Sequence, residues 1–259
     1  MPDLELAFIS LFPQQLSGML NKGILGRAID DGRISVRIHD LRQSSHHKRG
    51  NVDAPPFGPN PGMLLRADVM ATAIRSVPDY EQYQLIYLCP KGDRFDQKRA
   101  QKLSQERPLK LMLIPGYYEG IDERIFEMFS IQRVSMGDMV LLSGELPALM
   151  ITEAVARLLP GVIGNEQSLA DESISSGLLE AAQYCQPREV EGKTVPDVIC
   201  SGHHAKIRQY HHEQALRMTL FQRPDLLAQY PVNEQDKAVI TKALLKQAEG
   251  PVIDKTEPF

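Results

Sequence analysis

Leu109-Lys110-Leu111-Met112-Leu113-Ile114-Pro115-Gly116-Tyr117-Tyr118-Glu119-Gly120-Ile121-Asp122 is the stretch on which the fold turns. Six mostly apolar residues too short for a helix, halted by Pro-Gly, read as a strand buried on both faces that ends in a glycine-bearing loop. The figure repeats upstream, where Gln84 to Leu88 runs into Cys89-Pro90-Lys91-Gly92. It occurs at the start as well, where Leu4 to Leu11 is stopped by Phe12-Pro13.

Between these strands the spacing of apolar residues is helical. Helices are expected over Gln14–Ile29, Ala67–Ser76, Gln97–Leu103, Asp122–Phe129 and Pro147–Leu158, with a short strand at Ile34–Ile38. Strands alternating with helices indicate an α/β protein with a mostly parallel sheet. In such sheets ligands bind at the carboxyl ends of the strands, where the glycine loops lie. Arg42 to Gly62 is long, polar, basic and rich in Pro and Gly, the profile of a functional or disordered loop. The α/β part is expected over residues 1–160, a linker over 161–176 and a small helical domain over 177–259, whose last ten residues fray.

The chain has 259 residues, 42 % hydrophobic and 24 % charged, ordinary values for a globular protein. No run approaches the roughly 18 apolar residues of a membrane helix. The acidic start Met1-Pro2-Asp3 does not resemble a signal peptide. Three scattered cysteines, Cys89, Cys185 and Cys200, suit a reducing compartment, and a cytoplasmic location is expected. The net charge of −4 means that any nucleic-acid contact must come from local basic patches.

The chemistry-bearing residues cluster in the loops. Besides the two quoted above, Ser135-Met136-Gly137-Asp138 precedes Leu141-Leu142-Ser143-Gly144-Glu145-Leu146-Pro147. Glycines at strand ends expose backbone N–H and C=O groups that can grip a small ligand; the plainer reading is that Gly and Pro merely end strands. No phosphate-loop pattern and no dinucleotide fingerprint follows the first strand.

Taken in order, Ser10-Leu11-Phe12-Pro13, Val52-Asp53, Pro61-Gly62-Met63, Tyr118-Glu119-Gly120-Ile121-Asp122-Glu123-Arg124, Gly144-Glu145-Leu146-Pro147-Ala148 and Arg223-Pro224-Asp225-Leu226-Leu227 resemble the bacterial tRNA (guanine-N1) methyltransferases of the SPOUT superfamily. The resemblance runs nearly end to end. It implies an α/β fold with a deep trefoil knot, a feature rare among folds and invisible to periodicity. It also implies a homodimer, a tRNA substrate and a bent S-adenosylmethionine held mainly by backbone groups. Position for position, Tyr87, Leu88, Pro90, Gly116, Met136, Gly137, Asp138, Met139, Val140, Leu141, Gly144 and Pro147 would line its pocket. Magnesium is reported to help the family's activity, although the sequence carries no recognisable cage for it.

N1 of guanine normally carries a proton, so methylation there calls for a general base and for a cation near O6. Arg157 matches the family's arginine, and its guanidinium keeps its charge; a helix-ending arginine facing the dipole is the other reading. For the base, the run Asp171-Glu172-Ser173 places Glu172 on the family's catalytic position and Asp171 one residue earlier. On residues alone the same pair could open a helix at Ser173. RNA contacts are expected from Asp53, able to accept hydrogen bonds from a guanine edge, from Glu119, from Lys48 in the basic run His46-His47-Lys48-Arg49, and from Arg208 along the C-terminal helices. Cys200, His203, His204, His211 and His212 lack the spacing of a closed zinc site.

The sequence departs from the family at Ala54, at Gly58-Pro59-Asn60, at Tyr117, at Leu142-Ser143 and at Tyr184-Cys185-Gln186-Pro187. These departures motivate two other readings: a SPOUT methyltransferase for another RNA or a small molecule, and a non-catalytic RNA- or cofactor-binding protein.

Overall fold

The computed structural model describes residues 2–106, 108–164 and 172–248. Two compact units divide the chain, Met1–Gly164 and Asn165–Phe259.

In the first unit β1 (Leu4–Ser10) leads into α1 (Pro13–Leu20) and α2 (Gly23–Asp30), then β2 (Ile34–Asp40). One helix was expected over Gln14–Ile29, but the chain breaks at Asn21-Lys22. There Gly23 takes a left-handed φ of 65°, open to glycine at little cost. The long loop that follows is more ordered than its composition suggests. It holds two single turns of 3₁₀ helix and the short pair β3 (Asp53–Ala54) and β4 (Leu64–Leu65), which is antiparallel.

After α3 (Ala67–Ser76) come β5 (Gln84–Arg94), α4 (Gln97–Gln105), β6 (Leu109–Pro115), α5 (Arg124–Met128), β7 (Ile131–Ser135) and α6 (Glu145–Ala156). The five long strands form one sheet in the order β2-β1-β6-β5-β7, all neighbours parallel. β7 was not expected: Ile131-Gln132-Arg133-Val134-Ser135 is a short edge strand with polar residues, and it lacks a long apolar run.

Both faces of the sheet are covered, as a parallel sheet requires. Leu4, Leu6, Phe8, Ile86, Leu88, Leu111 and Leu113 share one core with residues of α1, α2, α4 and α6. Ala7, Ile9, Leu85, Tyr87, Met112 and Ile114 alternate to the other face and pack with α3 and Ile125 of α5. β5 is linked to β6 through α4 on the first face, and β6 to β7 through α5 on the second. The chain therefore leaves the adjacent carboxyl ends of β5 and β6 in opposite directions, and a crevice opens between them.

The second unit carries a small hairpin of β8 (Glu189–Val190) and β9 (Lys193–Thr194), then α7 (Asp197–Cys200), α8 (His204–Gln222), α9 (Pro224–Leu227) and α10 (Glu234–Ala248). Leu178, Leu216 and Leu227 form its core. Thr219 is fully buried, and its hydroxyl accepts the N–H of Leu179 at 2.8 Å. No helix among the described residues is long and apolar enough to cross a membrane.

Candidate active site

The carboxyl ends of β5, β6 and β7 come together around a cavity of about 470 Å³, within the usual range for small-molecule sites of about 300–1,000 Å³. Three glycines allow the approach. A Cβ on Gly116 would stand 2.4 Å from the carbonyl oxygen of Leu88, and one on Gly144 would stand 2.4 Å from the backbone nitrogen of Gly116. A Cβ on Gly92 would lie 2.2 Å from the nitrogen of Val134. All three collisions are with backbone, which cannot rotate away, so any side chain at these positions would force the loops apart. The N–H of Gly144 donates to the carbonyl of Gly116 at 2.8 Å and ties the loop after β7 to the loop after β6. Residues 89–92 bulge out of the pairing between β5 and β7, which resumes at Asp93.

Ten of the twelve positions expected to hold the cofactor line this cavity: Tyr87, Leu88, Pro90, Gly116, Met136, Met139, Val140, Leu141, Gly144 and Pro147. Gly137 and Asp138 do not. Gly137 instead shapes the wall, with a φ of 124° and its N–H donated to the Ser135 hydroxyl at 3.1 Å. Leu142 also lines the cavity, from a rim position that is 97 % exposed. Burial pushes the Tyr87 phenol far above its ordinary range, so it stays a neutral hydroxyl. Its ring meets Phe126 edge to face at 5.6 Å, and Arg133 lies over the other partner, 3.8 Å from the Phe126 centroid. Sequence reading did not single out Phe126 or Arg133; they reach the cavity from the helix and edge strand that follow β6.

On the other side of the cavity, two segments far apart in the chain are zipped together. The N–H of Leu65 donates to Gly120 at 2.9 Å, that of Glu119 to Met63 at 3.0 Å and that of Asp122 to Leu65 at 3.0 Å. This places Pro61-Gly62-Met63 against Tyr118-Glu119-Gly120. Gly62 takes a φ of 99°, a conformation that favours glycine, and a Cβ there would also press on the Glu119 side chain at 2.4 Å. Glu119 lines the cavity. Tyr118 sits in the left-handed region with a φ of 54°, uncommon for a bulky residue and a mark of strain held by its surroundings. Partial burial and a hydrogen bond to Asp53 raise its phenol pKa. Asp53 and Glu119, two of the four expected RNA contacts, are thus brought to the same loop cluster. Tyr117, one of the departures from the family, lines the cavity and packs edge-on against Phe12 at 5.1 Å and Tyr118 at 4.6 Å.

Of the remaining candidates, Arg157 and Lys48 belong to the first unit and Glu172 and Arg208 to the second. Arg157 caps α6, its N–H donating to Glu153 at 3.1 Å, with a half-buried side chain. Lys48 is exposed on a 3₁₀ turn and Arg208 is exposed on α8. Glu172 lies half-buried at the start of a turn rather than a helix, its carbonyl accepting the Ser176 N–H at 3.2 Å. Asp171 falls outside the described residues. The histidines of α8 form no metal-ligand group among the described residues, and His212 instead bonds the buried Asp236 at 2.6 Å.

Sequence comparison gives one family and many relatives. The family model described as tRNA (Guanine-1)-methyltransferase TrmD matches residues 4–229. A protein of Staphylococcus carnosus called tRNA (guanine-N(1)-)-methyltransferase is 45 % identical over 237 residues, 92 % of this chain and 96 % of the relative. Relatives of the same name from Staphylococcus haemolyticus and Staphylococcus aureus are 44 % and 41 % identical, each over 92 % of this chain.

Proposed function

This chain belongs to the tRNA (guanine-1)-methyltransferase family, and on that premise we propose that it methylates N1 of the guanosine immediately 3′ of the anticodon in tRNA, with S-adenosylmethionine as donor. The observation that carries the reading is the glycine-walled cavity, in which the backbones of residues 88, 116 and 144 approach too closely for any side chain. Such a wall recognises a ligand by main-chain N–H and C=O groups, which makes it less sensitive to side-chain changes such as those at Leu142-Ser143 on its lining.

Bound there, S-adenosylmethionine would supply an electrophilic methyl group on a sulfonium. The chain's own residues have the rest to do. A carboxylate, assigned to Glu172 or Asp171, would take the N1 proton as N1 accepts the methyl group. Arg157 would offset charge gathering on O6. Asp53 and Glu119 would hold the guanine edge, while Lys48 and Arg208 would meet phosphates.

A homodimer fits this scheme, with one subunit supplying the cavity and its partner the carboxylate. Support comes from the cavity rim and the helix behind it, where Val140 and Leu142 are 86 % and 97 % exposed and Leu146 and Met150 are 52 % and 46 % exposed. Clustered apolar exposure of this kind marks protein contacts. The trefoil knot belongs to the same proposal, supported by the sheet order and by the Gly116–Gly144 tie. Free Cys89, Cys185 and Cys200 suit the reducing cytoplasm. The three-ligand group found among the described residues is rich in imidazole, whereas magnesium prefers oxygen, so no residue is assigned to magnesium.

The test is a tRNA transcript with guanosine at that position, methyl-labelled donor, and mass analysis of the digested nucleosides. The expected product is 1-methylguanosine. Glu172→Gln and Asp171→Asn identify the base: the true one loses on the order of 10²–10⁴ in kcat. Methyl on another nucleoside, or donor bound tightly without turnover on any RNA, would replace this reading with one of its two rivals.

A further inference from the structure

We propose that His46, His47 and Asp68 form a site for a divalent transition-metal ion of the zinc type, fastening the loop after β2 to the start of α3. Nε2 of His47 lies 2.8 Å from Oδ2 of Asp68, and Nε2 of His46 lies 3.3 Å from the same oxygen. The three ligand atoms all fall within 4.8 Å of one another. Zinc–nitrogen and zinc–oxygen bonds of about 2.05 Å place two ligands roughly 2.9 Å apart at a right angle and roughly 3.3 Å apart at the tetrahedral angle. The two observed separations match these edges.

A second observation concerns the hydrogen bonds on that oxygen. Nη2 of Arg66 also approaches Oδ2, at 3.3 Å, while its Nε bonds Oδ1 at 3.1 Å. Without an ion, Oδ2 accepts hydrogen bonds from His47 Nε2 and Arg66 Nη2, while His46 Nε2 lies 3.3 Å away without bonding it and is left for another partner. The rings of His46 and His47 lie side by side, with centroids 4.2 Å apart. With an ion, both imidazoles would turn lone pairs toward the metal, and His46 would gain a partner. Oδ2 then binds the metal, and Arg66 keeps Oδ1 as an outer partner that orients the carboxylate. Two imidazoles and one carboxylate suit zinc, cobalt or nickel, and three protein ligands leave the fourth position to water.

The surroundings hold the ligands in place. The His47 N–H donates to the Ser45 hydroxyl at 3.2 Å, and that hydroxyl donates to the Asn51 carbonyl at 2.6 Å. A metal here would fix the base of the loop that carries Lys48 and Asp53. The site needs only these side chains, so it stands or falls independently of the methyl-transfer reading.

Chain stripped with chelator and titrated with Co²⁺ should take up one equivalent, develop visible absorption bands, release the ion to Zn²⁺, and gain thermal stability in step with saturation. His46→Gln, His47→Gln and Asp68→Asn should each weaken binding by more than about tenfold, with circular dichroism confirming the fold. Arg66→Met should still bind. A triple His203→Gln, His204→Gln, His211→Gln variant should bind as the unmodified chain does. The proposal is overturned by an absence of saturable uptake in the unmodified chain, by uptake that survives loss of His46 and His47, or by uptake that disappears in the triple variant.

Discussion

Gly144→Ala tests the wall of the cavity with one methyl group. Its Cβ would stand 2.4 Å from the nitrogen of Gly116, 2.7 Å from Cα of Pro115 and 2.9 Å from the Pro115 carbonyl carbon. Carbon needs roughly 3.5 Å from its non-bonded neighbours, so the loop bearing residue 144 must retreat by about 1 Å. That movement stretches the 2.8 Å bond from Gly144 to Gly116 and opens the face on which the donor would lie. Overpacking of this kind costs about 1–3 kcal/mol, and at about 2–4 °C per kcal/mol for a unit of this size the melting temperature falls by about 2–12 °C. A misplacement of about 1 Å also costs on the order of 10²-fold in rate. Differential scanning fluorimetry, calorimetry with S-adenosylmethionine and steady-state kinetics measure the three effects. Gly18→Ala is the control: nothing lies within 4 Å of its Cβ, it sits inside α1, and alanine there should stabilise by roughly 0.5–1 kcal/mol. If Gly144→Ala kept unaltered donor affinity and rate while Gly18→Ala behaved as stated, the close-approach argument for the cavity would be refuted.

Two further outcomes follow from buried polar groups. Ser10→Ala removes the hydroxyl that donates to the buried Glu145 carboxylate at 2.8 Å and accepts the Phe12 N–H. Stability should fall by about 1–3 kcal/mol in urea, and the double change with Glu145→Leu should cost less than the sum of the two single changes. His39 has its pKa lowered from 6.5 by burial and by the nearby Arg37 charge. The unfolded chain therefore takes up a proton more readily than the folded one, and the contribution is complete above pH 6.5 and lost as pH falls below it. Melting temperature followed from neutral to mildly acid pH should decline less steeply in His39→Gln than in the unmodified chain; an equal slope would show that His39 does not drive the decline.

Several elements are legible from residues alone because they rest on local chemistry. The apolar run Leu109–Ile114, stopped by Pro115-Gly116, can be little other than a buried strand, and the structure carries it over Leu109–Pro115. Ala67–Ser76 is a helix with its expected bounds. Gln14–Ile29 misled because apolar spacing continues through Gly23, where the backbone turns. β7 escaped notice because an edge strand with Gln132 and Arg133 does not need a continuous apolar run.

The candidate site divides in the same way. Its glycines, its Tyr-Glu-Gly turn and its family were readable in order along the chain, since turn chemistry and motif spacing are properties of neighbours. Which glycine merely ends a strand and which one admits another backbone was not readable, because both look alike until the strand order β2-β1-β6-β5-β7 brings Leu88, Gly116 and Gly144 together. The pairing of Tyr118 with Asp53, of Ser10 with Glu145 and of two histidines with Asp68 was likewise decided by tertiary structure. Each joins residues whose separation along the chain carries no period, and only packing two covered faces onto one sheet sets which distant side chains meet.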